Sequence, residues 1–111
     1  MGGYFIPDLK LPLENRSIGK YGRMHRDYLQ EHNPVRFNDL VLDGKLWTYL
    51  SDLNEKAQNR LLLIIRQMQE AESVTEKLKE ENQRAWVQAM NSIHNRAEEI
   101  ILHELVYGED V

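Results

Sequence analysis

Apolar side chains recur at spacings of three and four along most of this chain, the pattern of helices that each bury one face. The pattern is strongest in one stretch. There Leu46, Tyr49, Leu50, Leu53, Ala57, Leu61, Ile64, Ile65 and Met68 share a side, while Asp52, Glu55, Lys56, Asn59, Arg60 and Arg66 take the others. No Gly or Pro interrupts it, so the spacing predicts a helix over 45–71, about 40 Å long at 1.5 Å per residue. A second stripe runs through Leu78, Ala85, Trp86, Ala89, Met90, Ile93, Ala97, Ile100, Ile101 and Leu105. It predicts a helix over 74–106 that stops before Gly108, with Lys79 to Arg84 as a solvated section. Between the two, Ser73-Val74-Thr75-Glu76 has the form of a capping box with Ser73 as the cap. So short a connection makes the two helices antiparallel neighbours.

The N-terminal half reads as shorter pieces. Tyr21, Met24, Tyr28 and Leu29 predict a helix over 20–32. Asn33-Pro34 ends it, because the residue before a proline is driven out of the helical region. Pro34 suits the first turn of a second short helix over 35–43, with Phe37, Leu40, Val41 and Leu42 as its apolar positions and Asp43-Gly44 as a left-handed stop. Residues 1–18 carry Pro7, Pro12, Gly2 and Gly3 and so predict an extended arm. Tyr4, Phe5, Ile6, Leu9, Leu11, Leu13 and Ile18 make that arm apolar, as an arm packed on the body or on a partner chain would be.

The expected architecture is all-α: a single helical domain over residues 1–111, with an extended N-terminal arm, two short helices and a long antiparallel hairpin. The short helices are too small to cover the hairpin along its whole length. Apolar area left in water costs about 25 cal/mol per Å², so a homodimeric bundle of two hairpins is expected.

Composition narrows the chemistry. With 41% apolar and 29% charged residues the chain has the make-up of a soluble globular domain. It has no cysteine, which removes disulfide scaffolds, thiolate metal sites and cysteine nucleophiles together. The longest apolar run, Leu61 to Ile65, is far short of the roughly 18 residues that span a bilayer. Residues 1–10 lack the basic head and apolar stretch of a signal peptide. A cytoplasmic protein with no membrane partner is expected. The net charge of −4 argues against a surface that coats nucleic acid everywhere. That charge is unevenly spread: residues 1–50 balance at +1 and residues 51–111 at −5.

Within the first half, Arg16, Lys20, Arg23, His25 and Arg26 fall in one acid-free segment. Lys20, Arg23 and Arg26 fall near one side of the first helix and Arg16 just before it. These four residues are the candidate nucleic-acid contacts, since Lys and Arg neutralise phosphates and the glycines beside them let backbone come close. The alternative is a solvated helix face whose cations pair with Asp27, Glu31 or the acidic half. Trp47 and Trp86 sit on the apolar stripes of the two long helices and, with Phe5 and Ile6 of the arm, are the candidate interface anchors.

Bond-making chemistry finds little support. His25, His32, His94 and His103 never share the i, i+4 spacing of a helical zinc site. The pairs Glu99 with His103 and His94 with Glu98 are two-ligand half-sites that read as ordinary helix-surface pairing. There is no GxSxG elbow, no GxGxxG and no phosphate loop. No catalytic residue, metal site or cofactor is assigned, and the chain is expected not to be an enzyme.

Several strings taken together resemble a known family. Tyr4-Phe5-Ile6-Pro7-Asp8-Leu9-Lys10-Leu11-Pro12, Ile18-Gly19-Lys20-Tyr21-Gly22-Arg23-Met24, Leu42-Asp43-Gly44-Lys45-Leu46, Ala85-Trp86-Val87-Gln88-Ala89-Met90-Asn91 and Asn95-Arg96-Ala97-Glu98-Glu99-Ile100 resemble the TnpV family of transposon-encoded proteins, in order, from about residue 4 to about residue 107. The resemblance implies an accessory role on a bacterial transposon or conjugative element. It carries no catalytic motif. Two functions follow as expectations. One is a non-enzymatic accessory that binds protein, either a second copy or the element's recombination proteins. The other is a small DNA-binding regulator or recombination accessory using Arg16, Lys20, Arg23 and Arg26.

Overall fold

The computed structural model describes residues 16–108, and every regular element among them is helical. In chain order these are α1 (Gly19–His32), α2 (Pro34–Leu42), α3 (Leu46–Ala71), α4 (Glu76–Glu81) and α5 (Gln83–Ile101), with a π-helical turn, Leu102–Val106, continuing α5. The protein is all-α. Most of the N-terminal arm, including Phe5 and Ile6, lies outside the described residues. Packing divides the chain into two compact units, Met1–Asn54 and Glu55–Val111.

In the first unit Ile18, Tyr21 and Leu29 are buried, as are Leu50 and Leu53 of α3. Gly22 marks how closely α1 meets α3: a Cβ there would stand 3.0 Å from the Leu50 carbonyl oxygen and 2.9 Å from the Ile18 Cβ. Gly19, at φ +68°, opens α1 in the left-handed region that favours glycine. The first amides of α1 need acceptors from outside the helix. Ser17 Oγ takes the N–H of Gly19 at 3.1 Å, and Asn54 Oδ1, from α3, takes the N–H of Tyr21 at 3.3 Å. Further along α1, His25 is buried with its Nε2 3.0 Å from the Tyr49 hydroxyl. Contacts that climb α1 descend α3, so the two run antiparallel. Asn33 serves two helices: its N–H donates to Leu29 O at 2.8 Å, closing α1, and its side chain accepts the Arg36 N–H at 3.3 Å, opening α2. At the end of α2, Gly44 takes φ +71°, with Gly44 N–H on Val41 O at 3.0 Å and Lys45 N–H on Leu40 O at 2.9 Å. This is a Schellman stop.

The second unit departs from the single helix expected over 74–106. Ser73 is not the cap. It sits at φ +57° as the left-handed residue that closes α3, with its N–H on Glu70 O at 3.4 Å and the next N–H, of Val74, on Gln69 O at 2.9 Å. Closing α3 in this Schellman geometry takes Ser73 away from capping, and Thr75 replaces it by accepting the Leu78 N–H at 3.4 Å. The expected helix is then broken at Asn82, which leaves helical geometry at φ −153°, ψ 87°. The reason is local. Lys79 to Arg84 offers no apolar side chain that a continuous helix would bury, and the Asn82 carboxamide caps α5 by accepting the Ala85 N–H at 3.1 Å. Beyond Ile101 the backbone widens into the π turn, and its neighbours Leu105 and Val106 are both buried.

Ala57, Leu61 and Ile64 of α3 and Ile93, Ala97 and Ile101 of α5 form the core of this unit. Two ion pairs join the same elements: Arg60 Nε to Glu104 Oε1 at 3.2 Å, and Arg96 to both carboxylate oxygens of Glu72 at 2.6 and 2.9 Å. Residue numbers rise along α3 as they fall along α5. In this unit α3 and α5 are therefore antiparallel neighbours.

Candidate interaction surfaces

The four basic candidates do not act alike. Arg16 turns onto α3: its Nη2 meets Asp52 Oδ1 at 2.8 Å, and its carbonyl accepts the Trp47 indole N–H at 2.7 Å. Lys20, Arg23 and Arg26 remain together on the side of α1 opposite the buried Tyr21, Gly22, His25 and Leu29. Lys20 Nζ stands 5.6 Å from the Tyr21 ring centroid, and Arg26 Nε reaches Asp27 Oδ1 at 3.4 Å. Part of this face is thus paired within the helix, as the alternative reading expects.

Trp47 is about half exposed, and its indole N–H ties the start of α3 to the chain ahead of α1. Trp86 is partly buried; Lys79 Nζ lies 4.8 Å over its ring, and its Nε1 is sealed from solvent without an acceptor. Of the half-site residues, His94, Glu99 and His103 are exposed, and among the described residues no three His, Asp or Glu come together as metal ligands. No helix of the described residues is long and apolar enough to cross a membrane.

Two surfaces went unforeseen in the spacing. The first is α2, in which no residue is buried. Val35 and Leu42 are 71% and 83% exposed, seven residues apart and therefore on one side of the helix, with Val41 also exposed. Periodicity marked α2 as amphipathic but could not show that its apolar side lies open.

The second is a groove of about 420 Å³ in the second unit, lined by Ile64, Met68, Ala71 and Ile100 with Arg60, Gln67 and Glu104 at its edge. The Arg60–Glu104 pair stands at one end, and Glu72, next to Ala71, pairs with Arg96 toward the other. Both pairs are partly open to solvent, so each contributes little to stability by itself. The Arg96 guanidinium, chiefly through its hydrogen bonds, holds the Glu72 carboxyl below the usual glutamate range, and Glu72 raises Arg96 in return.

A carboxyl lowered by folding stabilises the fold above its unfolded value and loses that effect as pH falls through its folded value. The melting temperature of Glu72→Gln should therefore lie below that of the unaltered chain near neutral pH, with the gap closing as acid takes the solution below the ordinary glutamate range. Parallel melts at a series of pH values check this, and a gap that widens with acid would contradict the pairing.

Helices throughout, an uncovered amphipathic helix and an apolar groove closed by ion pairs define a small all-α protein. A family model described as transposon-encoded protein TnpV matches residues 1–106, and the chain belongs to that family. No curated protein and no solved structure matches the chain.

Proposed function

We propose that this chain is a non-enzymatic accessory of its transposon that works in the cytoplasm by binding another protein of the same mobile element, with α2 as the contact. The open apolar side of α2 carries this reading. A nine-residue helix that buries none of its own residues gains little from intramolecular packing, and an exposed row of Val and Leu is what helix-in-groove recognition uses as anchors. Family membership supports the setting, a transposon, and the excess of apolar over ionic groups on α2 favours a protein over a phosphate backbone.

The test is binding of the purified chain to the recombinase encoded on the same element, by calorimetry. Leu42→Asp should weaken binding at least tenfold, about 1.4 kcal/mol, and leave the circular dichroism unchanged because Leu42 is exposed. Undetectable binding by the unaltered chain, or equal binding by the variant, would refute the reading.

A second reading is DNA contact through the solvent side of α1, favoured by the shared placement of Lys20, Arg23 and Arg26 there. Gel shifts on the element's end sequences at about 100 mM salt, where phosphate contacts still register, discriminate the two. Under this reading the triple alanine variant of those residues loses the shift, whereas Arg16→Ala keeps it because Arg16 already serves Asp52. Absence of any shift by the unaltered chain rejects it.

A further inference from the structure

We propose that the groove between α3 and α5 is covered by the same groove of a second copy of this chain, the two copies related by a two-fold axis. The lining is apolar along Ile64, Met68, Ala71 and Ile100. Leu63, 42% exposed, borders it one row out from Arg60 and Gln67.

The choice of occupant comes from the charges. The cation at one end, Arg60, belongs to α3, and the cation toward the other, Arg96, belongs to α5. Turn a second copy face to face about an axis across the helices, and Arg60 of one copy meets Glu72 of the other while Glu104 meets Arg96. With the axis along the helices, Arg60 meets Glu104 and Glu72 meets Arg96. Both two-fold arrangements oppose unlike charges at every corner, so the surface complements itself, as an isologous interface requires. An unrelated partner would have to supply that alternation from its own sequence.

From Arg60 to Glu72 the patch is about 18 Å long and two helices wide, about 360 Å² on each copy. That is under the ~800 Å² per partner of a standard interface, so the dimer is expected to be weak and reversible, with a Kd of tens of micromolar.

This surface shares no residue with α2, and the experiment keeps the two apart. Sedimentation equilibrium of the full chain from about 10 µM to about 1 mM, a range chosen to bracket the expected Kd, should show a monomer–dimer equilibrium. Ala71→Arg, at an exposed position lining the groove, should raise Kd at least tenfold with unchanged circular dichroism. Arg60→Glu with Arg96→Glu makes every corner acidic and should do the same. Reversing all four charges (Arg60→Glu, Glu104→Arg, Glu72→Arg, Arg96→Glu) restores opposition and should recover the dimer. Leu42→Asp should leave it intact. A chain monomeric throughout the range overturns the proposal. So does a dimer that ignores both groove variants, or one that Leu42→Asp abolishes while Ala71→Arg does not.

Discussion

Replacing Gly22 by valine should destabilise the first unit by about 3 kcal/mol, the upper range for overpacking a tight contact. At about 4–8 °C per kcal/mol for a small domain, the melting temperature should fall by more than 10 °C. The obstacle is backbone. A Cβ at position 22 would stand 3.0 Å from the carbonyl oxygen of Leu50, which is fixed within α3 and cannot swing aside as a side chain would. Relief requires parting α1 from α3, which uncovers Tyr21, Leu29 and Leu50.

Gly22→Ala makes the sharper comparison. In an open helix interior that change gains about 1 kcal/mol from helix propensity, so a loss of stability at position 22 reports the close crossing directly. A rise in melting temperature for Gly22→Ala would show that α1 and α3 are not in such contact.

Asn54→Leu should cost about 2 kcal/mol, the penalty for leaving a buried polar group without a partner. Asn54 is buried on α3, and its Oδ1 accepts the Tyr21 N–H, an amide of the first turn of α1 that has no acceptor within its own helix. Leucine nearly keeps the volume but removes the acceptor. Asn54→Asp keeps an oxygen there and places negative charge near a helix N-terminus, where it is favoured, so it should retain more stability than the leucine variant. Urea titration of both variants checks the order. If Asn54→Leu matches the unaltered chain, the remote cap contributes nothing.

These two sites show where legibility ended. The stripe through Leu50, Leu53, Ala57, Leu61 and Ile64 was plain in the spacing and is buried as it implied, because a continuous three-and-four repeat leaves a helix one way to face. Asn54 lies on that stripe, between Leu50 and Ala57, and a lone amide among core positions was the available signal. What spacing could not reveal was its partner 33 residues earlier in the chain. The glycines at 19 and 22 were visible as breaks in propensity, yet their purpose depends on which residues of α3 they meet.

At the C-terminal side the polar run Lys79 to Arg84 was noticed and read as a wet section of one helix. The sequence also held the alternative, since Asn82 stands three residues before Ala85, the spacing of an N-cap. Whether such a run continues or breaks depends on what it packs against, and local pattern is silent on that. Ser73 and Thr75 exchanged roles for a related reason. Both are capping residue types, and the choice between them was made by how the preceding helix ends. Of the candidate surfaces, the basic row of α1 was legible from spacing, while the openness of α2 and the groove with its two ion pairs arise only when helices distant in sequence are placed.

The π turn at Leu102–Val106 has a consequence for chain length. Its wider loop of backbone takes in one residue more than an ordinary helical turn and resets the angular phase of everything after it. Residue count in this stretch is therefore a structural variable in its own right: a single deletion would let the backbone close normally, but it would swing Leu105 and Val106 out of step with the face that Ile93, Ala97 and Ile101 establish. Substitution there trades one shape for another, whereas loss of one residue would rotate the whole tail.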